Sequence, residues 1–252
     1  MPPEETSPHQ KHEQHDPPAG ENKSQLSPVS LCGILDERIQ AKRGSRPENA
    51  LSSFAFLSAD IPPIMTRLGA VAESAGELDC PLIVMDTAPA AVLGASFDPV
   101  VSQHRNKIIT NIGNFHTLAF RMGERGIEGV FEHHTGEIDL PKLEKLLNAL
   151  GDGSLRHEDV FDDMGHGALM YSNEKLEFGR GDFDVVVTGP RRSMYAGDTT
   201  LRPYFAAPFG DMMIAGCFGL LAATAEILPE LGEAVSKSMK DAGVGRPPWE
   251  TA

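Results

Sequence analysis

The chain has 252 residues and a mass of 27.2 kDa, with 40% hydrophobic residues, enough for one sizeable core or two small ones. Lys and Arg number 22 against 36 Asp and Glu; the net charge of −14 repels phosphate backbones and removes nucleic acid from the expected partners. The longest uncharged run, residues 212–225, is shorter than the roughly 20 residues a membrane helix needs, and no apolar signal core lies near Met1, so a soluble cytoplasmic protein with no membrane partner is expected.

Residues 1–28 are rich in Pro, Glu, Gln and His and hold almost no large apolar side chain; they are expected to be a disordered polar tail. His9, His12 and His15 recur there every third residue, most simply as a solvated tail. Residues 29–53 form a poorly defined segment with a short helix over 34–42. An α/β domain is expected over 54–242 and a mobile tail over 243–252.

Asp60 predicts a helix cap, with Pro62 and Pro63 in the first turn and Ile64, Leu68, Val71 and Ala75 at helical spacing. The apolar run 82–85 predicts a buried strand ending at Asp86, followed by a small-residue helix or turn over 89–96. Residues 107–111, 115–122 and 127–132 read as a three-stranded meander with Gly113-Asn114 at the first tip. Leu143, Leu146, Leu147 and Leu150 predict a helix over 140–150, starting near Asp139. A helical turn over 158–162, a buried strand over 183–188 and a long apolar helix over 212–228 complete the pattern. Ala215, Gly216, Gly219, Ala222 and Ala223 on the last helix allow close backbone approach. Buried strands mixed with helices indicate an α/β fold with a mixed sheet, a β-meander and flanking helices.

Four segments could carry chemistry. In the hairpin tip, Gly113 permits close approach of a ligand, and Asn114, His116 and Thr117 could donate to phosphate oxygens; the alternative is an ordinary turn. The strand ending at Thr188 runs into Gly189, Pro190 and Arg191, placed to meet a base or ribose, with Arg191 able to reach a phosphate. His133 and His134 are adjacent, so in an extended segment they point to opposite sides, and one of them could meet Asp162, Asp163 or His166. Carboxylate and imidazole together suit a divalent metal or acid–base work, which makes His133, His134 and Asp163 metal candidates and Asp86, Asp163 and His166 catalytic candidates. Asp211, before the long helix, reads as an N-cap.

The segments DIPPIMTR, VMDTAPAAVLGA, NIGNFHTLAF, VFEHHTGEIDLPKLEKLL, VFDDMGHGAL, VVTGPRR and YFAAPFGDMMIAGCFGLL, in unbroken order over 54–221, resemble one prokaryotic family of uncharacterised function. Its members are often labelled "pyruvate formate-lyase activating enzyme-like". That family is distantly similar to the actin, heat-shock chaperone and sugar-kinase superfamily of ribonuclease-H-like domains. The resemblance implies an actin-like ATPase domain with NIGNFHT as a phosphate loop and VVTGP on the adenosine side. It implies ATP and Mg²⁺ as cofactors, and an ATP-dependent phosphotransferase or hydrolase. Family members similar to this chain begin with a strand and an Asp-Gly-Thr-type loop, which has no counterpart upstream of Phe54; the resemblance therefore implies an incomplete cleft or a misplaced gene start.

The label conflicts with the cysteines. A radical S-adenosylmethionine activase holds its [4Fe–4S] cluster on CxxxCxxC, whereas Cys32, Cys80 and Cys217 stand 48 and 137 positions apart. No iron–sulfur cluster and no glycyl-radical activation are expected. The leading expectation is a nucleotide- or phosphometabolite-binding domain. A metal-dependent enzyme acting on a small anionic metabolite, centred on His133, His134, Asp163 and His166, is the first alternative. A non-catalytic remnant or interaction module is the second. Substrate, reaction and oligomeric state are left open.

Overall fold

The structure is a computed structural model, and it describes residues 50–242. The expectations for residues 1–28, for the helix over 34–42 and for the tail over 243–252 lie outside the described residues.

In chain order the elements are β1 (Ala55–Leu57), α1 (Thr66–Ser74), β2 (Ile83–Met85), α2 (Thr87–Ala95), β3 (Lys107–Ile112), β4 (His116–Gly123) and β5 (Gly126–His134). They continue with α3 (Leu140–Asp152), α4 (His157–Phe161), β6 (Gly165–Met170), β7 (Val185–Thr188), β8 (Pro203–Phe205), α5 (Ala215–Ile227) and α6 (Pro229–Ala242). Six strands form one mixed sheet in the order β6-β5-β4-β3-β7-β8, and β1 and β2 pair antiparallel beside it. β3 to β6 are antiparallel neighbours, while β7 runs parallel to both β3 and β8. The fold is thus mixed α/β with flanking helices, and the expected meander is β3-β4-β5.

Strand alternation builds two cores. On one face Ile109, Leu118, Phe120, Val130 and Val186 pack with Ala88 and Val92 of α2 and Ala223 of α5. On the other, Ile108, Ala119, Phe131, Val185 and Val187 pack with Leu143, Leu146, Leu147 and Leu150 of α3. The period of two along each strand assigns neighbours to opposite cores. Each fully buried leucine of α3 contributes about 1.5–3 kcal/mol.

α3 follows its sequence signals closely. The Asp139 carboxylate accepts from Lys142 N at 2.9 Å, and Gly153 closes the helix in the left-handed region (φ 78°). The buried Arg121 of β4 donates to the terminal carbonyls of Leu150 and Gly151, where a cation suits the negative end of the helix.

α1 departs from expectation. Its first helical residue is Thr66, not a residue of the Pro62-Pro63 pair; Met65 N donates to Pro62 O, so the prolines form a turn ahead of the helix. None of its side chains is fully buried, because its apolar edge borders a cleft rather than a core. β6, β8 and α6 carry no clear sequence signal. Pro229 both ends α5 and opens α6, since proline is favoured in a first helical turn, where its missing N–H has no intrahelical partner.

α2 and α5 meet through backbone rather than through side chains. A Cβ on Gly94 would lie 1.8 Å from Ala215 O, and one on Gly219 would lie 1.9 Å from Ala90 O. The small residues of α5 therefore serve a helix–helix contact. Among the described residues, no helix is long and apolar enough to cross a membrane.

Asp184, immediately before β7, accepts from the Gly179 amide, the Arg202 amide (2.9 Å) and the Arg202 guanidinium (3.1 Å). Burial pushes its carboxyl up, but the Arg202 side chain and the two amides outweigh that and hold it below the ordinary value. A depressed folded pKa means stability that is present above the unfolded value of about 3.9 and lost as pH falls through the folded one. The melting temperature of the native chain is expected to fall more steeply below pH 4 than that of Asp184→Asn, as parallel thermal melts from pH 7 to pH 2 would show.

Candidate functional site

The chain encloses a cleft of about 720 Å³ at the carboxyl ends of β3 and β7. These two strands are parallel neighbours, with Asn111 opposite Thr188, so the turns that follow them emerge side by side. One turn is Gly113-Asn114 and the other Gly189-Pro190, and all four residues line the cleft. Gly113 N donates to His116 O at 3.0 Å, and a Cβ on Gly113 would sit 2.5 Å from that oxygen. Gly189 has φ 99°, and its missing Cβ would lie 2.6 Å from Ile112 O. Both positions thus require glycine, one for space and one for conformation as well.

The other walls come from Met65 and Arg67 of α1 with its cap, the start of α2, and Gly216, Cys217 and Leu220 of α5. Asp86 caps α2, accepting from Ala88 N at 3.5 Å, and stands 3.4 Å from the exposed Arg67 guanidinium. Thr188 is fully buried, and its hydroxyl has no hydrogen-bond partner. Glu132, also buried, borders the cleft from β5.

Beside the hairpin tip three imidazoles converge. His116 of β4 lies directly across from His134 of β5, with ring centroids 5.0 Å apart. His166 of β6 lies 4.9 Å from His116 and 4.5 Å from His134. A β-bulge aims it there: Glu132 and His133 pair with Gly167 and Gly165, which leaves His166 as the extra residue. Gly167 sits at φ 111°, and Met164, just before the strand, at φ 66°. Burial, followed by the nearby His134 and Arg67, holds the His116 imidazole below its ordinary value against the opposing pull of Asp86. Burial and then the neighbouring histidines lower His166 in the same way. Low values keep imidazoles neutral, the state in which they accept hydrogen bonds or ligate cations.

Of the residues singled out in the sequence, Asp86, Gly113, Asn114, His116, His166, Gly189 and Pro190 line the cleft. Arg191 is exposed beyond the rim, and its amide donates to Ile112 O at 2.9 Å, tying the second turn to β3. Thr117 lies on the opposite face of β4, fully buried, with its hydroxyl 3.0 Å from that of Thr135. His133 likewise faces away from the cleft; it is fully buried, with Nε2 3.7 Å from Asp163 and Nδ1 3.0 Å from His134 O. Asp163 pairs with Lys142 at 2.9 Å, and that contact first of all holds its carboxyl below the ordinary range. The grouping His133, His134 and Asp163 is therefore split across the sheet, because adjacent strand residues project to opposite faces. Asp211 accepts from Met213 N at 2.7 Å and stands three positions before the cap of α5, Ile214.

The expectation that His133 or His134 could meet His166 holds for His134, and Thr188 lines the cleft with the turn it precedes; sequence reasoning missed Glu132 as a cleft residue and His116 as the third imidazole. Glu132 follows from the alternation that places His134, since the two are separated by two positions on one strand. The triad depends on cross-strand register, which no local pattern displays.

No curated protein and no solved structure matches the chain. The profile of a family described as "Putative pyruvate format-lyase activating enzyme (DUF1786)" matches residues 38–194, more than half of the sequence, and the chain belongs to that family.

Proposed function

We propose that the cleft binds a nucleotide or phosphorylated small molecule, in a domain of the ribonuclease-H-like, actin-like type. The observation that supports this best is the pair of glycine turns side by side at the carboxyl ends of two parallel strands. Ligands of open α/β sheets gather at that edge. The antiparallel meander β3-β4-β5, followed by crossovers to the parallel strands β7 and β8, is consistent with the same fold type.

In this reading the Gly113-Asn114 turn and His116 face the phosphates, and Gly189-Pro190 faces the base or ribose. Thr188, whose buried hydroxyl has no hydrogen-bond partner, lines the cleft behind the second turn. Asp86 is the cleft carboxylate that would hold Mg²⁺, a cation that takes oxygen ligands and keeps several waters. The bound cation would neutralise phosphate charge during transfer or hydrolysis.

The family's description names an activating enzyme of a lyase. An iron–sulfur route needs a clustered set of thiolates. Cys80 lies between α1 and β2, Cys217 lies within α5, and the sequence holds one further cysteine, Cys32. This donor set does not fit such a cluster.

The test is thermal stability with ATP and Mg²⁺. A ligand that binds only the folded state adds about 2.7 kcal/mol at a hundredfold excess over its Kd. A saturable rise in melting temperature is expected; no shift with ATP, GTP or ADP would overturn the reading. Asn114 is exposed at the tip, so Asn114→Asp changes stability by only about 0.5 kcal/mol or less. Its added negative charge is expected to weaken ATP binding about tenfold, measured by titration calorimetry.

A further inference from the structure

We propose that His116, His134 and His166 form a three-imidazole site for a first-row divalent metal ion, zinc foremost, on the wall of the cleft. Each residue offers one ring nitrogen, and the three nitrogens lie within 4.8 Å of one another. The ligands come from three adjacent strands of the sheet, and strands hold a site more precisely than loops. A glycine-flanked bulge adds the third, which ordinary register would have turned away.

The donor chemistry selects the ion. Imidazole suits zinc, copper, iron or nickel, whereas Mg²⁺ and Ca²⁺ take oxygen. Zinc bound at about 2.0–2.1 Å in a tetrahedron sets ligand nitrogens about 3.3 Å apart. The observed spread therefore closes by about 1.5 Å at most, within reach of small rotations of half-buried rings. Behind His116, the buried Glu132 carboxylate lies 3.6 Å from Nδ1, the place of the carboxylate that orients a ligating histidine. His166 Nε2 is buried without a hydrogen-bond partner. His104, by contrast, is already paired with Asp182 at 3.0 Å, and His133 points to the opposite face of β5, away from the cleft.

Three protein ligands leave one position of a tetrahedron open, the arrangement of catalytic rather than structural zinc. His116 and His166 both line the cleft, so that open position faces the cavity. It would take a water or an oxygen of an anionic ligand, and a zinc-bound water ionises near neutral pH. The metal site stands on the histidine geometry alone and does not depend on nucleotide binding.

The experiment is titration of the full chain with zinc alone after chelator treatment, with competition against a metal-sensitive dye. His9, His12 and His15 could bind metal by themselves, so the titration is run in parallel on a chain with all three changed to Ala. One equivalent of zinc is expected to remain in that variant. His134→Ala and His166→Ala, each made in the tail-altered chain, are expected to weaken binding a hundredfold or more, and His104→Ala to leave it unchanged. As a readout free of folding effects, the ring-proton resonances of His116, His134 and His166 in the unaltered chain are expected to shift with one equivalent of zinc. Loss of the tight equivalent with the tail histidines, or unmoved triad resonances, would overturn the proposal. Zinc binding without an ATP effect would leave the metal site standing and remove only the nucleotide reading.

Discussion

Gly219→Val is expected to abolish cooperative folding, or to lower stability by more than about 4 kcal/mol. A Cβ at this position meets the Ala90 carbonyl at 1.9 Å, the Ala90 carbonyl carbon at 2.8 Å and Gly94 N at 2.9 Å. All three are backbone atoms of α2 that no rotamer change can move. Overpacking against side chains costs about 1–3 kcal/mol. Here the helices must separate, which opens the core that α2 and α5 share with Phe120 and Val186. Gly216→Ala is the control, since nothing lies closer than 3.9 Å to its Cβ. It should stabilise the chain by up to about 1 kcal/mol through helix propensity. Thermal melts of the two variants settle the matter: a native-like melt for Gly219→Val would show that the two helices do not pack as described.

Asp98→Ala is expected to cost about 3–5 kcal/mol in denaturant unfolding. Asp98 is 2% exposed and serves four donors: Val100 N at 2.9 Å, Val101 N at 3.4 Å, Tyr204 Oη at 2.8 Å and Ala207 N at 3.0 Å. It joins the end of α2 to β8 across 106 positions of chain. Its removal orphans several buried donors at once, which costs more than the bonds themselves contribute. Asp98→Asn keeps one acceptor oxygen and should lose less. A spectroscopic signature accompanies the loss. Burial and then the bond to Asp98 push the Tyr204 phenol up to about 12, so in Asp98→Ala it should titrate closer to the ordinary value of 10. An unchanged tyrosine titration would separate Tyr204 from Asp98.

How far the sequence leads depends on how local each signal is. Asp139 and the leucine spacing define α3 within a single helix, and the structure places it at Leu140–Asp152, two residues beyond the end expected at 150. The hairpin tip is equally local: Gly113-Asn114 between two β-rich runs lies between β3 and β4. β6 escaped because its glycines read as loop signals. A glycine inside a strand also marks a bulge, and Gly165 and Gly167 have no room for a Cβ beside Val160 and His157. β8 is three residues long and begins with Pro203, so only its pairing with β7 identifies it as a strand.

The same division runs through the candidate site. Sequence alone determined the acidic balance, the α/β class, the meander, the two glycine turns and the opposite orientation of His133 and His134. All of these follow from composition or from backbone geometry within a few residues. Tertiary structure decided that β3 and β7 lie parallel and adjacent, which brings two turns 76 positions apart to one cleft. It also decided which side of β4 faces that cleft, sending Thr117 into the far core and His116 toward His134. Finally, the bulge in β6 turned His166 to join them. Register and layer order are set by packing the whole sheet between its helices, a global balance of buried surface that no single segment encodes.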